Sequence, residues 1–539
     1  MAVYGIDLGT TYSCLAKFEG GAVSIINNEE GQPTTASAVY FGPDGDVIVG
    51  DAAKDYVQTE GYRVVQFVKR EIGKPFPPHD IEGRSYNAIE ISALILKKIA
   101  KFAKEQMETV KDVVITCPAY FGNEERDATK KAGILAGFNV LELINEPTAA
   151  AISYAFSNSG GVKDENVVVY DLGGGTFDVT VLGIQVQSNG VPSCRVIATD
   201  GDDQLGGKDW DQILFGLIRD KMMEENGLSE ISDEDQNSIR AVVEKTKKAL
   251  TPKESTTCRA RIDGASVACE VTREEFEQAT AGLLQQTIDC FDRVLNSDAV
   301  RGVRIDRILL VGGSSYMPIV KRTIQERYGN GGQIQVLLSD PDAAVAKGAA
   351  IYANLLTNSR RGSTGAFCFD DDDDSNQPSI IVQDIASRSF GVGIIDGNFP
   401  GNSHLKLDLL IMKGDQIPAT VKENYYPAVD NQAAVRFQVY ECIVTERGTY
   451  IPLGDKDENG NDTSNDPRFG VKRLGQLRLK FPPNVTTSTP LPTEMSVSGA
   501  GIHIKVTNSM TGDTEEVDIA FENNQVEMDN NQIEGLIIE

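Results

Sequence analysis

Two distant segments of this 539-residue chain repeat one pattern. The first is Val3-Tyr4-Gly5-Ile6-Asp7-Leu8-Gly9-Thr10-Thr11-Tyr12, and the second runs from Val167-Val168-Val169-Tyr170-Asp171-Leu172 through Gly173-Gly174-Gly175-Thr176-Phe177-Asp178. Each is an apolar run, then Asp-Leu-Gly, then small residues with threonine. A short apolar run bounded by turn residues reads as a buried strand. Glycines after it let the turn bring backbone N–H groups close to a ligand. An aspartate at the strand end is placed to hold a cation or a water. The combination is a phosphate clamp with a metal anchor. Its duplication predicts two related halves gripping one nucleotide between them.

The chain is long enough for two or three domains. Its net charge of −28 argues against nucleic acid or an anionic membrane as the main partner, because both demand basic patches. No basic, apolar leader opens the sequence and no run of 18 apolar residues suggests a membrane span. The eight cysteines are scattered without a Cys-x-x-Cys pair, which fits free thiols in a reducing cytoplasm.

Residues 1–357 alternate strand-like and helix-like segments. Val113 to Thr116 and Ile308 to Val311 read as strands. Glu124 to Gly137 reads as a charged helix, and Pro341 is expected to start a helix from Asp342 to about Leu356. Strands feeding helices through Gly-rich turns predict an α/β layered fold with ligands at the carboxyl ends of the strands. Residues 358–385 form an expected linker, with the acidic run Asp370 to Asp374 and the apolar island Ile380-Ile381-Val382. From 386 to 525 the period becomes two, as in Leu405 to Leu409, Val435 to Val439 and Ile502 to Val506, with Gly, Asn, Asp and Pro clusters between. That is a β-sandwich pattern. Residues 526–539 are expected to form a tail. In the loop from Gly454 to Pro467, Asp455, Asp457, Asn459, Gly460 and Asp466 fit a calcium-loop spacing, and ordinary turn chemistry explains them as well.

Six segments then carry a resemblance. They are Gly5 to Ser13, Val114 to Phe121, Asn145-Glu146-Pro147-Thr148-Ala149-Ala150-Ala151, Asp171 to Asp178, Leu205-Gly206-Gly207 and Val311-Gly312-Gly313-Ser314. In this order they resemble the nucleotide-binding domain of the seventy-kilodalton heat-shock chaperones, the DnaK-type family. Residues 380–525 resemble that family's peptide-binding domain more weakly, best at Asp430 to Val435. The resemblance implies an α/β actin-like (ribonuclease-H-like) two-lobed ATPase domain followed by an all-β sandwich. It also implies a chaperone that hydrolyses ATP with Mg²⁺, leaving ADP, binds unfolded or extended apolar polypeptide, and has a J-domain co-chaperone and a nucleotide-exchange factor as partners.

The same resemblance implies the site. Asp7 and Asp171 would sit around Mg²⁺, through its waters. Gly9, Thr10, Thr11, Tyr12, Gly174, Gly175 and Thr176 would contact the phosphates, joined around the nucleotide by Gly206, Gly207, Gly312, Gly313, Ser314 and Asp342. Lys69 and Glu146 match the lysine and carboxylate near the attacking water; neither stands out by sequence pattern. Glu244, Lys247, Lys248 and Thr251 share one helix face and match the adenosine-binding helix. Val392, Ile394, Tyr425, Ala428 and Val435 would face a bound peptide, although for Val435 a place in the core explains the pattern nearly as well.

Several positions depart from the family. Tyr316 stands where an arginine usually stacks on adenine, so stacking would persist without the charge. The segment between Gly73 and Tyr86 is short, and the linker lacks its usual leucines and proline. Glu142 replaces an arginine that helps contact J-domain co-chaperones, which puts that partner in doubt. Only 18 residues follow Phe521, too few for the family's helical lid. Alternative readings are a nucleotide-sensing scaffold with weak turnover, or a small-molecule kinase on the same core.

Overall fold

The computed structural model describes residues 2–520 except 75, 82, 107–108, 158–163, 187–191, 363–381, 396–404, 454–468 and 499–500. The acidic run at 370–374, Ile380 and Ile381, the loop at 454–467 with its calcium-like spacing, and the tail at 526–539 lie outside the described residues. The chain separates into two compact units, dividing between Val382 and Gln383.

Hydrophobic period and length set the first unit, which is mixed α/β. Its first sheet runs in the order Asn139–Asn145, Asp112–Cys117, Val3–Asp7, Tyr12–Glu19, Ala22–Ile26. A second sheet runs Gln335–Leu338, Arg307–Val311, Glu165–Leu172, Phe177–Val186, Pro192–Asp202. In each, the Asp-Leu-Gly strand pairs parallel with the next inner strand and antiparallel with the strand that follows it in the chain. Both sheets therefore repeat one topology: an antiparallel meander, then two parallel strands. The duplication in sequence is a duplication in architecture.

Two helices rest on these sheets. Glu146–Ser157 packs on the second sheet, and Ala344–Gly362 packs on the first. Their crossing is close because small residues meet there. A Cβ on Gly348 would lie 1.7 Å from the Ala149 carbonyl oxygen, so only glycine fits. The start of the second helix differs from the sequence expectation of Asp342. Asp340 adopts φ +45°, and its carbonyl accepts from the Ala343 and Ala344 N–H groups at 3.0 and 2.8 Å. Residues 341–343 thus form a turn, which frees Asp342 from the helix and leaves it beside the cleft.

The second unit is all β in its described strands. One antiparallel sheet orders Pro452–Leu453, Leu405–Ile411, Ser389–Ile395, Ala434–Cys442, Lys472–Lys480; the other orders Ala419–Tyr425, Leu491–Ser498, Gly501–Thr507, Thr514–Ala520. Period-two alternation buries one face of each sheet, and Val392, Phe437, Val439, Met495, Ile504 and Val506 belong to one core. Among the described residues no helix is long and apolar enough to cross a membrane.

Candidate functional site

Both Asp-Leu-Gly turns open on one cleft of about 480 Å³ in the first unit. Asp7 ends the strand Val3–Asp7, and Asp171 lies one residue before the end of Glu165–Leu172. The two turns touch. A Cβ on Gly174 would lie 2.0 Å from Thr11 Oγ1 and 2.6 Å from Thr11 Cβ, so the second turn approaches the first only because it has no side chain there. The Gly173 N–H donates to the Thr176 carbonyl at 3.0 Å, which tightens this turn. Among the described residues Thr11 Oγ1, at the seam with Gly174, is buried without a hydrogen-bond partner.

Lys69 stands on the short helical turn Val68–Arg70, and Glu146 is the first residue of its helix. Both are buried, and Lys69 Nζ donates to Glu146 Oε1. Burial lowers the Lys69 pKa, but Glu146 and Asp7 outweigh it and hold it above the ordinary lysine value. The carboxylates show the reverse. Burial, then Glu146, pushes Asp7 up to about 7 against the pull of Lys69. Burial, again followed by Glu146, holds Asp171 and Asp178 well above the usual range. Asp178 Oδ1 is also buried with no hydrogen-bond partner. This negative charge exceeds what Lys69 neutralises, and a divalent cation would relieve it. Among the described residues no three histidine, cysteine or carboxylate side chains converge to ligate a metal directly. The carboxylate oxygens of Asp7, Asp171 and Asp178, with more negative charge than Lys69 offsets, are donors that would suit a magnesium ion held through its waters.

The other end of the cleft is built on the helix Asp233–Leu250. Glu244 accepts from Lys54 and from the Tyr12 hydroxyl at 2.7 Å. Burial would raise its pKa, but Lys54 and Lys248 bring it down to about 2. The Lys248 ammonium lies 4.5 Å over the Tyr12 ring, and Lys247 pairs with Asp211 at 2.8 Å. Tyr12, grouped by sequence with the phosphate donors, thus directs its hydroxyl to Glu244. Tyr316 bonds to Asp342 and is 40 % exposed.

Of the cleft residues expected from sequence, Gly175 and Gly206 alone do not line it; they back the turn, with Gly206 packed on Gly175. The lining also holds residues that sequence reasoning missed, among them Gln32, Pro33, Thr34, Lys208, Asp211, Met317 and Pro341. Pro341 and Met317 adjoin residues that were singled out. Lys208 and Asp211 sit on the helix opened by Gly207, one turn apart, and that spacing was an available signal.

In the second unit the five expected peptide-facing residues separate. Val392 does not reach the surface: it is wholly buried in the core. Ile394, Tyr425 and Val435 are half-buried against that core, and Ala428 is exposed. Tyr425 lies edge-on to Phe437 at 5.8 Å, and its hydroxyl donates to Asp408 at 2.7 Å.

Comparison with known proteins places these features in a family. The model of the family described as Hsp70 protein matches residues 3–83 and 77–448. A chaperone protein DnaK from Thermosipho melanesiensis is 36% identical over 448 residues, covering 81% of this chain and 70% of the relative. One from Thermotoga maritima is 36% identical over 449 residues with the same coverages.

Proposed function

This chain belongs to the Hsp70 family, and from that premise we propose how its parts divide the work. The protein is an ATP-dependent molecular chaperone and an ATPase. We read the two repeated sheets as the lobes of an actin-like, ribonuclease-H-like nucleotide domain over residues 1–357, and residues 386–525 as a β-sandwich that binds polypeptide. The convergence of both Asp-Leu-Gly turns in one cleft, with a buried lysine between them, carries this reading.

In this reading Thr10, Thr11, Gly174 and Thr176 hold the phosphates, and Gly175 shapes the turn from behind. Asp7 and Asp171 would hold Mg²⁺, which supplies charge neutralisation on the phosphate oxygens. Lys69 presents a permanent positive charge to the transferring phosphoryl group, and Glu146 orients that ammonium and the attacking water. Glu244, Lys247, Lys248, Thr251 and Tyr316 contact the adenosine, Tyr316 by its ring. Clients are unfolded or extended polypeptides. A J-domain co-chaperone is a weak candidate partner, since Glu142 reverses the charge such a contact needs.

Steady-state ATP hydrolysis with and without an unfolded apolar peptide tests the whole. Turnover is expected to require Mg²⁺ and to rise with peptide. ATP bound with little turnover and no response to peptide would favour the nucleotide-sensing scaffold instead, and equal turnover in chelator would remove Mg²⁺ from the site.

The peptide site has its own test. Val435 continues the buried row of Phe437 and Val439 but is only half-buried, so its end of the row is where an extended chain can enter. Val435→Phe is expected to weaken fluorescent-peptide binding by about tenfold, a contact loss on the order of 1.4 kcal/mol, with circular dichroism unchanged. Normal peptide affinity in that variant would remove Val435 from the site.

A further inference from the structure

Four lysines line the nucleotide cleft, and three are matched to carboxylates: Lys69 to Glu146, Lys247 to Asp211 and Lys248 to Glu244. Among the described residues the fourth, Lys208, has no ion pair or side-chain hydrogen bond. Its backbone is fixed, because its N–H donates to the Gly174 carbonyl at 2.8 Å, which seats it against the second glycine turn. Its ammonium lies 4.6 Å from the centre of the Phe67 ring. That ring is placed by an unusual backbone: Phe67 has φ +62°, where a bulky side chain is a genuine outlier. Phe67 precedes Lys69 by two residues, so the same segment that delivers Lys69 also supports Lys208.

We infer that Lys208 is a phosphate-binding residue of this cleft, engaging the terminal phosphate of bound ATP and the inorganic phosphate released from it. The inference rests on the ATP reading above. Lys208 is a half-buried cation beside a phosphate-holding turn, and of the two carboxylates that act on it Glu71 is already bonded to His79 at 2.7 Å, so neither pairs with its ammonium and an anion in the cleft would complete it. Burial, and then the neighbouring Arg70, lowers the Lys208 pKa. Asp209 does not compensate, because its carboxylate is already held by Arg70 at 2.7 Å. The ring beneath the ammonium holds it in place without neutralising it. A nucleoside diphosphate lacks the group Lys208 would meet, so the residue acts on ATP and on free phosphate rather than on ADP. A lysine that merely packs on Phe67 would make no such distinction.

The test is a titration of the full chain with three probes: Mg²⁺ with ADP, Mg²⁺ with a β,γ-imido analogue of ATP, and inorganic phosphate added to the Mg²⁺–ADP complex. Lys208→Ala is expected to leave ADP affinity within about twofold, to weaken the analogue about tenfold and to weaken phosphate similarly, the loss of one charge-assisted contact. Lys208→Arg is expected to recover most of the analogue's affinity. ADP binding also reports that the variant is folded. Equal weakening of ADP and analogue, or no change in either, would overturn the role of Lys208 while leaving the ATP reading intact. A wild-type chain that binds neither nucleotide would overturn both.

Discussion

Replacing Lys69 by alanine is expected to lower ATP turnover by about 10² to 10³ fold, the usual consequence of removing one preorganised charge from a transition state, while ATP remains bound. The lysine is only 6 % exposed, and Glu146 and Asp7 keep it protonated despite its burial. Its charge is therefore present before the substrate arrives and needs no reorganisation during the reaction. Binding is spared because the nucleotide's expected contacts come from the two glycine turns and from the helix Asp233–Leu250, not from Lys69. An interaction made mainly in the transition state lowers kcat and kcat/KM together.

The same substitution has a second consequence. It leaves Glu146 buried beside Asp7 and Asp171 with no cation. Breaking a buried pair from one side typically costs about 3–5 kcal/mol, so the nucleotide-free variant is expected to melt earlier than wild type. Mg²⁺ with ATP should return part of that loss. Single-turnover hydrolysis, ATP titration and thermal melts check the three statements. A variant that turns over normally removes Lys69 from the chemical step. One that neither binds ATP nor folds makes the residue a structural anchor instead.

The frame of this cleft was readable in the sequence because its elements are local. An apolar run followed by Asp-Leu-Gly is a strand, a charge and a turn within ten residues, and each was found where that pattern put it. Lys69 and Glu146 have no such mark. The lysine lies on a three-residue turn and the glutamate at a helix start, and only the fold brings their side chains together across 77 positions. Resemblance to a family named them; periodicity did not. The boundary of the helix at Ala344 was missed for a related reason. Pro341 is a good first residue for a helix, but the left-handed Asp340 spends the first hydrogen bonds on a turn. Val392 shows the limit of alternation. Period two identifies the inward face of a strand, but not how far along that face the core extends before it opens. Val392 and Ile394 share a face, and only Ile394 is partly exposed.

Gly174→Ala is expected to weaken ATP and ADP alike by about 10- to 100-fold, the loss of one charge-assisted phosphate contact of roughly 1.5–3 kcal/mol. The added methyl would sit 2.0 Å from Thr11 Oγ1 and 2.6 Å from Thr11 Cβ. Rotating the hydroxyl aside does not help, since Cβ itself is too close. The two turns must separate, and their donors then no longer converge on one phosphate chain. The rest of the first unit has no reason to change, because neither Thr11 nor Gly174 belongs to its hydrophobic cores. The clash has a specific remedy. Thr11→Gly removes the atoms that the methyl meets, so the double variant should bind nucleotide better than Gly174→Ala alone, and the coupling energy of the cycle measures the contact. Thr11→Gly by itself should bind less tightly than wild type, because the partnerless Thr11 hydroxyl is then missing. Wild-type affinity in Gly174→Ala would mean that the turns are not a joint clamp. A double variant weaker than either single would mean that the seam matters for some reason other than the clash between these two residues.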